Sequence, residues 1–425
     1  MDPLGAANVE FCLDVFKELS TKNLDTNIFF SPLSMLYALS MVLLGARGNS
    51  AHQMVKVLHF NDVERISPGL EGMFKCGQRG DIHKEFQMLM SKINRANSDY
   101  ALGIASRLYG TRKMVFLQQY LNCSEELYGA QLEAVDFEHP PEETRKRINA
   151  WVAAQTHGAI PSLFGQGAID PTSVMVLVNA IYFKGKWESR FLKSQTVETP
   201  FHLSKGRSLS VQMMHQSGRF KMASVEEPQL QVIELPYVQK NLSMIVLLPN
   251  SPDDLEKIER RLTLKTISQW TSSDNMTERD VDIQFPRFHL EEQYELNSVL
   301  QALGMTDIFD QSRADLSGIS PGGDLFLTKV THKAFVEARR HQHDSLLRPF
   351  FLSISGTAPG AGEDVWLRKI PRPTRSALHG GERDQNLPTK AALSRGLSAS
   401  VHSASGANFT LALPRAAHLE GAIFC

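Results

Sequence analysis

No run of about 18 consecutive apolar residues occurs in the chain, which excludes a single helix spanning a bilayer. Cysteine is scarce as well: Cys12, Cys76, Cys123 and Cys425 contain no CxxC pair and no metal-ligand spacing. Four in 425 residues make no disulfide framework, so they read as mostly free thiols. Charge of one sign is not in excess. Lys and Arg number 45 against 46 Asp and Glu, a net charge of −1, and without a global basic field no nucleic-acid partner is expected. The first residues, Met1-Asp2-Pro3-Leu4-Gly5, lack the basic segment and apolar run of a cleavable signal, so a cytoplasmic location is expected, with unconventional secretion as the other route. Neither a Walker loop nor a G-x-G-x-x-G after a strand is present, which removes the usual nucleotide chemistries.

What is present is ample material for a core. Hydrophobic residues make up 42% and charged residues 21%, values that exclude wholesale disorder and fibrous architectures. From Asn8 onward, Val9, Cys12, Leu13, Phe16 and Leu19 recur at helical spacing. Ser31-Pro32 supplies a capping hydroxyl and a first-turn proline, and Met35 to Leu44 is apolar nearly all round up to Gly45, so this helix belongs inside the molecule. Further helices are expected from Ser50 to about Leu58 and from Glu142 to His157, with a surface loop over Asn61 to Asp81. The period then changes. Val174 to Phe183 is a near-continuous apolar run interrupted by Asn179, as suits a strand covered on both faces. Shorter strands are expected at Gln231–Leu235, Leu242–Leu248, Val281–Phe285 and Leu325–Val330. Helices first and strands later, without strict alternation, point to an α+β domain.

The character of the chain shifts at Ala338. The 88 residues from there hold nine Arg, two Lys and six acids, or +5, against −6 for the first 337. This tail, 338–425, is rich in Ala, Ser, Gly, Pro and Arg and keeps no period for long, so it reads as mostly disordered. Local motifs carry little. Gly318-Ile319-Ser320-Pro321-Gly322 matches a nucleophile elbow, but polar residues precede it and a strand-like run follows, so Ser320 belongs to a turn and a hydrolase is a distant reading. His341 and His343 lack a partner at ligand spacing and read as a solvated loop, so no metal site and no cofactor are expected. Four N-glycosylation sequons, beginning at Asn122, Asn241, Asn275 and Asn408, are what chance gives in a chain this long.

Several longer strings are more specific. Asn27-Ile28-Phe29-Phe30-Ser31-Pro32-Leu33-Ser34, Val178-Asn179-Ala180-Ile181-Tyr182-Phe183-Lys184-Gly185-Lys186-Trp187, Phe285-Pro286-Arg287-Phe288 and Leu327-Thr328-Lys329-Val330-Thr331-His332-Lys333-Ala334-Phe335-Val336-Glu337 resemble, in order, segments of the serpins, and the absent signal and the loop resemble the ovalbumin-like clade B branch. The resemblance covers residues 1–337. It implies the serpin fold, three β-sheets with eight or nine helices, and inhibition of serine, or cysteine, proteases by a monomer that is not an enzyme. By matching, Ser31, Ser34, Asn179 and His332 fall at the family's shutter, a polar cluster beneath the sheet, and Trp187 falls at the breach, where the cleaved reactive loop first enters. Without the resemblance, these polar groups read as an ordinary satisfied core network.

The resemblance stops at Glu337. Insertion of the loop as a strand requires small residues at alternate places, and the chain instead reads Ala338-Arg339-Arg340-His341-Gln342-His343-Asp344-Ser345-Leu346-Leu347-Arg348-Pro349. Either alternation buries charge or imidazole. An apolar segment echoing the family's next strand, Arg348-Pro349-Phe350-Phe351, begins only 11 residues after Glu337, so no hinge or scissile bond can be located. Two expectations follow: trapping inhibition is lost or badly impaired, with a noninhibitory binding or storage role as the alternative, and the second sheet loses closing strands, leaving a weakly stable or aggregating body.

Overall fold

Alternating and continuous apolar runs sort into nine α-helices and twelve strands among the described residues of the computed structural model, which are 3–22, 27–61, 76, 82–93, 100–204, 207–251, 254–338, 399–400 and 410–415. The helices are α1 (Pro3–Lys22), α2 (Pro32–Gly45), α3 (Gly48–Val57), α4 (Ile82–Ile93), α5 (Gln118–Tyr128), α6 (Pro141–Gln155), α7 (Leu255–Arg261), α8 (Leu264–Trp270) and α9 (Asn297–Ala302). None of them is long and apolar enough to cross a membrane.

Five strands, β1 (Tyr100–Thr111), β2 (Glu133–Val135), β3 (Met175–Gly185), β9 (Phe288–Glu295) and β10 (Lys329–Ala338), form one sheet in the order β2-β1-β3-β10-β9. The remaining strands are β4 (Thr196–Ser204), β5 (Arg207–Val225), β6 (Leu230–Pro236), β7 (Ser243–Pro249), β8 (Thr277–Pro286), β11 (Ala399–Ser400) and β12 (Thr410–Arg415). They make a second network through β5, whose 19 residues pair with β4 and β8 in one part and with β6 in the other. The expected second and third sheets are thus two arms sharing one long strand.

The first sheet is covered on both faces. Ser31 caps α2 with its hydroxyl, Pro32 occupies the first helical position, and every α2 residue except Leu44 is buried, between the sheet on one side and α1, α3, α4 and α5 on the others. Over the other face lies α6, whose Ile148 and Val152 join Tyr109, Val176, Val178 and Ala180 in an apolar layer. This double burial is why β3 reads as an almost unbroken apolar run.

Two expectations need adjustment. The strand expected at Leu325–Val330 begins only at Lys329, because Thr328 turns its hydroxyl onto the N–H groups of Val174 and Met175, and Leu325 and Leu327 are buried without joining a ladder. The cysteines are not free thiols: Cys76 and Cys123 are bonded across a separation of 47 residues, and no described cysteine is free. Their pairing brings Cys123 of α5 to a residue distant in sequence, which spacing does not encode. β12 runs antiparallel along β7, from Thr410↔Leu247 to Arg415↔Ser243. Its Pro414 is tolerable there because β12 ends the strand order of that network. Apart from β11 and β12, the tail lies outside the described residues, as do His341, His343 and nearly all of the Asn61–Asp81 loop.

Candidate functional site

The centre of the first sheet is the parallel pair β3 and β10, in register from Val176↔Lys329 to Lys184↔Glu337. Asn179 and His332 are direct partners in that register, so an amide and an imidazole are brought side by side on the face above α2. The N-terminus of α2 supplies the rest. The Ser31 N–H donates to His332 Nε2 at 3.0 Å, which requires Nε2 to be a lone pair and places the ring proton on Nδ1. Nδ1 in turn donates to Asn179 Oδ1. The Ser34 hydroxyl donates to the same Oδ1 at 2.9 Å, and Asn179 Nδ2 donates to the Ser34 carbonyl at 3.1 Å and to Ser106 Oγ at 2.8 Å.

Five side chains from α2, β1, β3 and β10 therefore form one closed network with almost no water contact. Ser31, Ser34, Asn179 and His332 are all buried, with Ser106 at 5% exposure. Burial pushes the His332 imidazole down to about 3, and the ring stays neutral in the fold. Each polar group is satisfied, which is the condition for a buried network to hold its strands in register rather than weaken them.

Trp187 lies just beyond the end of β3, eight residues on from Asn179. It is 4% exposed and bridges to Tyr237, whose ring stacks on it at 4.5 Å and 13°. Phe191 and Phe285 meet it edge-on at 6.1 Å each. Gly185 is required beside this stack, since a Cβ there would stand 2.4 Å from Tyr237 Cδ1. The structure thus brings the four polar candidates together and puts Trp187 in a separate aromatic cluster at the end of the same strand.

Sequence reasoning missed three residues here. Ser106 lies on β1, opposite Asn179, in a strand whose half-buried pattern gave little signal. Lys329 and Lys333 point to the other face, under the connector that leaves α6. Lys333 donates to the Ser162 carbonyl at 3.0 Å and pairs with Glu291 at 2.8 Å, while Lys329 reaches the Ala168 carbonyl at 3.3 Å and Glu295 at 3.1 Å. Lysines at i and i+4 on one face of a strand, with Glu291, Glu292 and Glu295 on the neighbouring β9, were the available signal. Ser320 is buried between turns with no helix after it, so the elbow geometry is absent. Among the described residues no cluster of His, Cys, Asp or Glu could hold a metal ion.

A central parallel strand pair closed over a buried amide–imidazole network, with an almost wholly buried helix beneath and a helix and its connector above, defines the class: an α+β protein of serpin architecture. Uncleaved ovalbumin is similar at a TM-score of 0.74 and 37% identity, covering 80% of this chain and 87% of that one. The family described as Serpin (serine protease inhibitor) matches residues 6–344, and the chain belongs to the serpin family. Serpin B11 of Homo sapiens is 56% identical over 338 residues, 79% of this chain and 86% of that protein. Leukocyte elastase inhibitor of Sus scrofa is 46% identical over 341 residues, 79% of this chain and 86% of that protein. The chain is thus a clade B, ovalbumin-like member of a protease-inhibitor family and not an enzyme.

Proposed function

We propose that this chain is a serpin in which the protease-trapping step is lost or badly impaired. The observation that carries the reading is the sequence after β10. Ala338 is the last strand residue, and the next ones are Arg339, Arg340, His341, Gln342, His343 and Asp344. Drawing that segment between β3 and β10 would bury unpaired charge, which costs several kcal/mol per ion, and would separate a register closed as far as Glu337. In this reading Ser31, Ser34, Asn179 and His332 are the shutter, Ser106 belongs with them, and Trp187 stands at the breach. The partners are serine proteases, with cysteine proteases as a second class, met as substrate-like encounters by a monomer in the cytoplasm or after unconventional secretion.

The test is titration against a panel of serine and cysteine proteases. The expected outcome is cleavage or indifference, and a stoichiometric SDS-resistant complex would overturn the proposal. The second reading, a noninhibitory role in binding or storage, rests on the same charged segment after Ala338, since such a role needs no strand to enter the sheet. It predicts that cleavage after Glu337 leaves the melting temperature unchanged, whereas strand insertion raises it.

A further inference from the structure

We propose that His59 is a pH-sensitive pin that fastens α1 to the end of α3 by holding two carboxylates of α1 at once. The geometry starts from its neighbours. Leu58 and Phe60 are both fully buried, and the Phe60 N–H closes onto the Val55 carbonyl at 3.0 Å, so the chain must turn sharply between two anchored side chains. His59 takes the turn in the left-handed region at φ +56°, unusual for a residue other than glycine. That conformation delivers its ring to α1 instead of to solvent.

On α1, Glu10 and Asp14 stand one turn apart on the same face. His59 Nε2 is 2.8 Å from Asp14 Oδ2, and Nδ1 is 3.4 Å from Glu10 Oε2. A neutral imidazole has one N–H and can serve one carboxylate, whereas the imidazolium has two and serves both. It also separates two like charges at i and i+4 that otherwise repel. The hydrogen bond to Asp14 raises the ring above its ordinary value of 6.5 against the opposing effect of partial burial, and the charges of Asp14 and Glu10 add to it. On α3, Lys56 is the nearest charged residue along the chain, and its backbone carbonyl accepts the His59 N–H. From α2, α8 and α9, which also pack on α1, no charged group pairs with the ring among the described residues.

The sign follows from the raised value. The charged ring's share of the attachment is present below pH 6.5 while the carboxylates stay ionised, and is lost as pH rises through the higher folded value, which leaves the single bond to Asp14. The three side chains are 28%, 43% and 38% exposed, so solvent screens the contact and the effect is modest. Acidification therefore tightens the first helix while it protonates other parts of the molecule.

The test uses the full chain with ¹³C-labelled histidine. The His59 ring is expected to titrate above 6.5 and to move down in Asp14→Asn. Amide exchange over residues 8–18, corrected for intrinsic rates, is expected to speed up about threefold between pH 6 and 8 in the wild type and to stay flat in His59→Gln. A ring that titrates at or below the ordinary value, or the same pH dependence with and without His59, overturns the proposal. Should His59→Gln not fold, the ring titration in the wild type and Asp14→Asn decides alone.

Discussion

Replacing His332 by Gln tests the buried network by its pH dependence. In the fold the ring is neutral and held down to about 3 by burial, while in the unfolded chain it titrates at 6.5. Between those values the unfolded state carries the extra proton, so stability falls as pH falls, at about 1.4 kcal/mol per unit once the unfolded ring is charged. From pH 7 to pH 5 the loss comes to about 2 kcal/mol, the unfolded ring passing from mostly neutral to almost wholly charged. A kcal/mol moves the midpoint of a 150–250-residue domain by about 2–4 °C and a larger body by less, so roughly 3 °C is expected. At pH 7 the Gln variant is the less stable protein, by about 1–3 kcal/mol, because Ser31 N–H and Asn179 lose fitted partners. That deficit should shrink by the same 3 °C on going to pH 5. Melting midpoints of both proteins at one scan rate supply the comparison, and titrations common to both cancel. Parallel curves would refute a neutral buried imidazole at this position.

Two further substitutions probe the faces of the same strands. Ser106→Ala removes the acceptor of Asn179 Nδ2 and leaves that donor buried, which should cost about 1–3 kcal/mol in a thermal melt; no measurable loss would remove Ser106 from the network. Lys333→Ala frees the Ser162 carbonyl from β10, and thermolysin cutting within residues 157–170 should rise while cutting elsewhere holds; an unchanged pattern would mean that the connector is held by α6 alone.

The parts of this fold that could be read in advance are those where one residue has one reason to be there. Ser31-Pro32 announces a helix start because capping and a fixed φ both act locally, and the structure begins α2 at Pro32. The apolar run around Asn179 announces a strand buried on both sides, and β3 follows it to within two residues at its far end. What could not be read depends on meetings between distant segments. Ser106 joins Asn179 only through the register of β1 on β3. Cys76 and Cys123 pair across a separation of 47 residues, which no local pattern announces. Leu325 and Leu327 look like strand residues because burial alone demands apolar side chains, yet the Thr328 hydroxyl occupies the two backbone donors that a ladder would use.

The buried polar network answers to the paired sheet itself, independently of the proposed loss of trapping. Asn179, His332, Ser34 and Ser106 must each be satisfied whenever β3 and β10 are paired, whether or not those strands ever part. The proposed loss of strand insertion would therefore not relax the demand on them. A neutral imidazole left without its Asn179 acceptor, or an amide without its serines, would weaken the sheet whether or not the protein traps a protease. The cluster records the family and the cost of breaking the sheet. Whether the sheet is ever opened is decided elsewhere, by what an entering strand would bring with it, and after Ala338 that is Arg339, Arg340 and Asp344 among imidazoles, with Pro349 unable to donate to a ladder.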